Sequence, residues 1–375
     1  MTSIGGAEMV DWNLAVATAT RFVRPGPEVT REEARAVVAE LRRHAKASEE
    51  HVRGFTQMIP ESHQPEDTPV LVVDRAGWVR ANVAGFRELL KPLLEKMQER
   101  RPGGPGGAVL GAVGGKVTGV ELGMLLSFLA SRVLGQYETF APATRELPAG
   151  SNGGGRLLLV APNIVHVERE LEVDPHDFRL WVCLHEETHR TQFTGVPWLR
   201  DHLEGEIQSF LGETEVDPMT VLERLREAAQ SLSGARPEGE EDEGRSIVEL
   251  VQTPAQREIL GRLTAVMSLL EGHADFVMDG VGPDVVPSVA EIREKFQQRR
   301  ARGASRLDQA LRKLLGLDAK LRQYRDGERF VRAVVEEVGM DGFNRVWTSP
   351  NTLPTKAEIA KPADWVARVH RKAES

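Results

Sequence analysis

Two histidines lie four residues apart in the segment His-Glu-Glu-Thr-His, at residues 185–189. On a helix, His185 and His189 share one face, where both imidazoles can bind a single Zn²⁺. Glu186 lies about 100° around the same helix, which suits a base that takes a proton from water better than a third ligand. The spacing therefore predicts a zinc site whose catalytic carboxylate is Glu186.

The helix that carries this motif has a recognisable start. Asp174 followed by Pro175 is typical of an N-cap and a first helical residue. From there to Phe193 apolar residues occur on every side, which predicts a helix in the core, with a solvent-facing surface helix as the alternative. Buried histidines and carboxylates need partners, so the pattern favours a metal.

A catalytic zinc usually takes three protein ligands and keeps one position for water. Gln192 and Gly195 exclude the metzincin pattern, which needs glycine and histidine at those two positions. Glu204, Glu206 and His202 follow within about twenty residues and are alternative ligands.

A second helix is predicted to begin at Thr253-Pro254 and carries Glu271 and Asp275 one turn apart. This spacing resembles the Glu-x-x-x-Asp of thermolysin-like gluzincins, and the resemblance implies that Glu271 is the third ligand. It also implies that Asp275 orients His185 from outside the ligand set. His273 projects about 200° from Glu271, so we expect it to pack rather than bind the metal.

Three segments together resemble the zincin-like metallopeptidases common in actinobacteria, a family catalogued as hydrolases. They are LLLVAPNIVHVERELEVDPHDFRLWVCLHEETHRTQF, SLLEGHADFVMD and RQYRDGERFVRAVVEEVGMDGFNRVWTSPNTLPT. The resemblance extends to about Thr355. It implies a zinc-hydrolase fold with His185 and His189 as ligands and Glu186 as the catalytic carboxylate. Some relatives carry names that link them to biosynthesis of a deazaflavin cofactor.

The expected fold is mainly α with a small β-sheet, an α+β zincin-like metallohydrolase with an extended helical N-terminal part. We predict a helical region at 1–145 with a flexible glycine-rich segment at 103–115. A catalytic region follows at 146–355, with an acidic loop at 231–246, and then a tail at 356–375. Strands are predicted at 157–160 and 164–167, and residues 70–73 are either a short strand or an extended approach to the next helix. Helices are predicted at 118–136 and 304–324 among others. Residues 163–167 would offer a strand edge to an extended peptide.

Composition fits a cytoplasmic enzyme. The net charge of −8 argues against nucleic-acid binding, and the single cysteine, Cys183, excludes an internal disulfide and is expected to pack. The start of the chain lacks a signal-peptide pattern, and the apolar segment 118–131 is too short to span a membrane. The small residues around it suit either close helix packing or a mobile lid over the active site.

The sequence therefore predicts zinc-assisted hydrolysis of a peptide or small amide. Tyr324, His273 and Arg325 are candidates for stabilising the tetrahedral oxyanion. Two alternatives stay open. One is a noncatalytic zinc-binding scaffold, and the other is a hydrolase of a small-molecule amide or ester.

Overall fold

A computed structural model describes residues 9–58, 68–99, 105–140, 155–213, 253–301 and 317–370. The predicted acidic loop at 231–246 lies outside these residues, as does most of the helix predicted at 304–324. The described chain is mainly helical with a small three-stranded sheet, which confirms the expected fold class. No described helix is both long enough and apolar enough to cross a membrane.

Among the described residues, the first half of the chain contains helices and all three strands, and the second half contains helices and two 3-10 turns. The described elements, in chain order, are α1 (Trp12–Phe22), α2 (Arg31–Thr56), β1 (Val70–Val73), α3 (Arg75–Glu99), α4 (Pro105–Ala130), β2 (Gly135–Glu138), β3 (Arg156–Val160), α5 (Ala161–Leu171), α6 (Pro175–Gly195), α7 (Pro197–Gly212), α8 (Pro254–Gly280), α9 (Val289–Ala301), α10 (Leu317–Asn344), two 3-10 turns (Arg345–Trp347 and Pro350–Thr352), α11 (Lys356–Ala360) and α12 (Pro362–His370).

The sheet has the strand order β1-β3-β2, with β1 parallel and β2 antiparallel to β3. Leu158 and Val160 of the central strand belong to the core formed with α1, α3 and α4. Leu159 belongs to the core formed with α2, α5 and α6. Burial on both faces explains why β3 is an unbroken apolar run. The strand predicted at 157–160 is confirmed, and residues 70–73 form the short strand rather than the extended approach.

The strand predicted at 164–167 is wrong, because these residues belong to α5. Pro162 lies in the first turn, where it suits a helix, and Ile164, Val167 and Leu171 recur at helical spacing and are buried. The predicted peptide-binding edge at 163–167 is therefore wrong as well. Asn163 instead ties elements together: its Nδ2 donates to the Ala130 and Val133 carbonyls.

The flexibility expected of the glycine-rich segment 103–115 is wrong from Pro105 onward, where α4 begins. This helix ends at Ala130 rather than at residue 136. A Cβ on Gly119 would lie 2.6 Å from the Asp11 carbonyl oxygen, and one on Gly123 would lie 2.6 Å from Cβ of Thr18. The small residues of α4 therefore allow close packing against α1. Residues 135 and 136, expected to end this helix, belong to β2 instead.

The chain divides into two compact units. Unit 1 comprises residues 1–197 and 274–301 and holds the sheet, α1 to α6, α9 and the last turns of α8. Its larger core surrounds Phe178 and Leu184, both with no exposed surface. The expected domain division at 145 and 355 stays a prediction.

Unit 2 comprises residues 198–273 and 302–375, and its described residues form helices and two 3-10 turns. Within it, α8 and α10 approach so closely that a Cβ on Gly327 would lie 1.9 Å from the Ser268 carbonyl oxygen. In the C-terminal segment Phe330 packs edge-on against Trp365, whose Nε1 donates to the Thr352 carbonyl. Residues 356–370, expected to form a tail, contain α11 and α12.

Candidate metal and catalytic site

The start of α6 has the capping interactions that the sequence predicts. Oδ1 of Asp174 accepts a hydrogen bond from the Asp177 amide at 3.0 Å, and Pro175 is the first helical residue. Oδ2 of Asp177 in turn accepts from the amide and hydroxyl of Ser288. The helix then passes through the core, which confirms the predicted buried helix rather than the surface alternative.

His185 and His189 face each other on α6. Their Nε2 atoms are 3.3 Å apart, and the two rings are nearly perpendicular. Each ring is partly buried, so both nitrogens lie at the edge of the core rather than in open solvent. Two imidazole nitrogens aimed at one point in this way form half of a tetrahedral ligand set.

The second nitrogen of each ring has its own neighbour. Nδ1 of His189 lies 3.0 Å from Oε1 of Gln192, and an amide oxygen at this distance accepts from Nδ1–H and leaves Nε2 with its lone pair. Nδ1 of His185 lies 3.5 Å from Oδ1 of Asp275 and 3.2 Å from Sδ of Met278. The position expected for Asp275 is therefore observed.

Sequence reasoning missed the role of Gln192, which it treated only as the residue that excludes a metzincin. The available signal was its position three residues after His189 on the same helix face. Gln192 has no exposed surface, and burial of a polar side chain requires a partner such as this ring.

Glu271 lies one turn before Asp275 on the same unbroken helix, α8. Its carboxylate and the imidazoles of His185 and His189 offer ligand atoms that all lie within 4.8 Å of one another. Two nitrogens and one carboxylate oxygen are a donor set that Zn²⁺ accepts in catalytic sites.

Glu186 is 6% exposed and packs against β2. A Cβ on Gly135 would lie 2.6 Å from Cγ and Cδ of Glu186 and 2.7 Å from Oε1, so only glycine leaves room for this carboxylate. Sequence reasoning missed this neighbour, because residues 135 and 136 were expected to end a helix. Contact with β2 places the Glu186 carboxylate beside the edge strand of the sheet.

The adjacent Glu187 has a different environment. It is 2% exposed and forms an ion pair with Arg190, which also donates to Glu49 and to the Thr68 carbonyl. Burial raises the pKa of Glu187 to about 7, although Arg190 works to lower it. Because Arg190 pairs with Glu187 and is itself held by Glu49 of α2, Glu187 has a structural role, and Glu186 is the better candidate base.

The remaining candidates lie in packing or surface environments. His273 is fully buried against the rings of Phe343 and Trp347, and Glu206 accepts a hydrogen bond from Arg262. His202 packs edge-on against Trp198. Tyr324 and Arg325 lie on α10, but their side chains are outside the described part of the structure.

Cys183 confirms the packing expected of it. The thiol has no exposed surface and donates toward the Leu41 carbonyl at 3.8 Å. Burial raises its pKa well above the usual value, so the group stays protonated and unreactive.

Comparison with known proteins identifies the family of the chain. The model of the zincin-like metallopeptidase family matches residues 10–366, and the chain belongs to this family. A solved structure named "Crystal structure of a putative hydrolase with a novel fold from Chloroflexus aurantiacus" is similar to the chain, with 31% identity and a TM-score of 0.67. The match covers 96% of this chain and 99% of that one. No curated protein matches the sequence.

Proposed function

We propose that the protein is a zinc-dependent hydrolase that cleaves amide bonds, with peptides as the first substrate class to test. The observation that carries this proposal is the convergence of His185, His189 and Glu271, with Glu186 held beside them. The family supports the metallopeptidase class, and the similar protein from Chloroflexus aurantiacus is itself named as a hydrolase.

The donor set fits Zn²⁺. Zinc–nitrogen bonds of about 2.0–2.1 Å in a tetrahedral site place two ligand atoms about 3.4 Å apart. The Nε2 atoms of His185 and His189 are 3.3 Å apart, so little rearrangement is needed. Zn²⁺ held by these histidines and Glu271 would polarise the substrate carbonyl and lower the pKa of a water molecule toward neutrality.

Glu186 then acts as the base and acid of the reaction. Its carboxylate accepts the proton of the attacking water and passes it to the leaving amine. Its burial and its contact with Gly135 limit the positions that the carboxylate can take, and a fixed base is more effective than a mobile one. Asp275 and Gln192 act as positioning residues, because each faces the Nδ1 atom of a candidate ligand.

An extended peptide is favoured by the position of β2. In the described part of the chain β2 lies at the edge of the sheet, and its first residue, Gly135, contacts Glu186. A strand edge can pair with substrate backbone, which gives affinity without strict sequence preference. This role replaces the one expected for residues 163–167.

The test is a substrate screen with the zinc-loaded full-length chain and its Glu186→Gln variant. A library of fluorescence-quenched peptides is run beside a set of small amides and esters, and metal content is measured on the same samples. We expect peptide cleavage by the wild type. In Glu186→Gln we expect a loss of about 10²–10⁴-fold in kcat at unchanged zinc content, the range typical of acid–base catalysis.

Glu187→Gln is the matched control, because it removes the neighbouring carboxylate from the same helix. Turnover per folded molecule should persist in this variant, since Glu187 pairs with Arg190, which in turn pairs with Glu49. Cleavage of small amides or esters alone would replace the peptidase proposal with the small-molecule alternative. Zinc binding without turnover of any compound would favour the noncatalytic scaffold.

A further inference from the structure

A second group of ligand-type side chains lies within unit 1, at the start of α6. It consists of Glu40 and His44 on α2 and His176, the second residue of α6. Oε1 of Glu40 lies 2.9 Å from Nδ1 of His176 and 3.5 Å from Nε2 of His44. The rings of the two histidines are in edge contact, with centroids 4.5 Å apart.

His44 supplies an independent reason to look for a ligand here. It is 7% exposed, and among the described residues its Nε2 has no hydrogen-bond partner closer than Oε1 of Glu40, at 3.5 Å. Buried polar nitrogens normally have a close hydrogen-bond partner or bind a metal, so this nitrogen indicates a missing ligand. The atom faces the same Glu40 oxygen that His176 contacts, so a cation between the three groups would satisfy it.

The charged side chains around these three residues permit a bound cation. Arg179 donates to Oε2 of Glu40, and it also forms a bidentate pair with Glu168. With neutral histidines, these two carboxylates outweigh this one guanidinium, although Arg169 acts on Glu168 as a further positive charge. Oε1 of Glu40 stays directed at the two rings.

The positive end of the α6 dipole is an unfavourable neighbour for a cation, and two carboxylates offset it. Asp174 caps the helix by accepting from the Asp177 amide, and Asp177 lies in the first turn. Arg43, next to His44 on α2, adds one further positive charge near the group.

We propose that Glu40, His44 and His176 form a second binding site for a divalent transition metal of the zinc class. The donor set is two imidazole nitrogens and one carboxylate oxygen, with the remaining position open to water. The separations of 2.9 Å and 3.5 Å bracket the distance of about 3.4 Å expected between ligands of a tetrahedral zinc ion. The metal would join α2 to the first turn of α6, nine residues before His185, and so fix the start of the helix that carries the histidine pair.

The experiment separates the two sites in the full-length chain. A His185→Ala/His189→Ala background removes the first site, and Zn²⁺ is then titrated in competition with a chromophoric chelator. We expect one equivalent of bound zinc in this background. Adding His176→Ala should weaken binding by at least about tenfold, since one of three ligands is lost. The His176 side chain is 65% exposed, so its removal should not unfold the chain.

His166→Ala is the matched control, because His166 is an exposed histidine paired with a glutamate, Glu170, on α5. It should leave the zinc equivalent in place. The wild-type chain provides a second measurement: its zinc stoichiometry should fall from two to one on His44→Ala or His176→Ala. A background that binds no zinc overturns the second site, as does binding that neither substitution weakens. Absence of only the equivalent that depends on His44 and His176 would overturn the second site and leave the proposed hydrolase intact.

Discussion

Gly135 of β2 lies directly against the Glu186 carboxylate, with space for a hydrogen atom but not for a methyl group. The nearest Glu186 atoms would lie 2.6–2.7 Å from an added Cβ. These atoms are the end of a flexible side chain, so a substitution would displace the carboxylate before it disturbed the sheet. Gly135 therefore links an edge strand to the candidate base.

Gly135→Ala is expected to lower kcat by about 10–100-fold while zinc content and thermal stability change little. A displacement of about 1 Å in a catalytic group has this order of effect. Steady-state kinetics, metal analysis and thermal denaturation measure the three quantities. Gly195→Ala is the control, because its Cβ would meet only Cε of Met58 at an ordinary 3.6 Å. Equal turnover in the wild type and Gly135→Ala would show that Glu186 does not need this neighbour.

Gln192→Leu is expected to weaken zinc affinity by about 10–100-fold, the usual cost of removing a partner of a ligating histidine. The reason is the contact of 3.0 Å between Oε1 of Gln192 and Nδ1 of His189, which fixes the ring and its tautomer. Competition with a chelator of known affinity measures the change. Thr194→Val provides the comparison, because that hydroxyl bonds only the Arg190 carbonyl of its own helix. An unaltered zinc affinity in Gln192→Leu would assign the glutamine to packing alone.

The candidate site could be predicted where local signals and spacing carry the information. The cap at Asp174-Pro175 located α6, and Thr253-Pro254 located α8, where Thr253 accepts from the Gln256 amide. The i, i+4 spacing of the motif then placed both histidines on one face, because spacing within a helix needs no tertiary structure.

Elements that depend on distant contacts could not be predicted in this way. The β-branched residues Ile164, Val165 and Val167 have strand propensity, but the helix that carries them buries all three in the core with α2 and α6. The strand that contains Gly135 forms by pairing with β3, and Gly135 itself contacts Glu186; both partners are far away in sequence. Gln192 was missed because its role follows from the orientation of a ring.

Gly327→Ala is expected to destabilise the protein by about 3 kcal/mol or more, at the upper end of overpacking effects. The added methyl group would lie 1.9 Å from the Ser268 carbonyl oxygen, and backbone cannot move aside as a side chain can. Gly261→Ala on α8 is the control, since nothing lies within 4 Å of its Cβ. That change should instead raise stability by about 0.5–1 kcal/mol. Chemical denaturation of both variants measures their free energies of unfolding. Similar values would contradict the close approach of α8 and α10.

Glu358→Gln is expected to lower Tm by a few degrees at pH 7 and by less at acid pH. Burial works to raise the pKa of Glu358, but hydrogen bonds from Arg368 and from the Thr355 amide outweigh it and lower that pKa below 4.5. A carboxyl whose folded pKa is depressed stabilises the fold above its unfolded pKa and loses this contribution as the pH falls through the folded value. Thermal denaturation of both proteins from pH 7 to pH 3 gives the difference. A gap that stays constant across this range would contradict the ion pair.

The zinc content of Glu271→Ala tests the central claim most directly. The variant is made in a His44→Ala background, so that only the site of His185 and His189 remains to be measured. After equilibration with buffered zinc, the His44→Ala protein should hold one tightly bound equivalent, and the added Glu271→Ala change should remove it while the fold persists. Full zinc occupancy without the Glu271 carboxylate would contradict the proposed ligand set and would require a different third ligand.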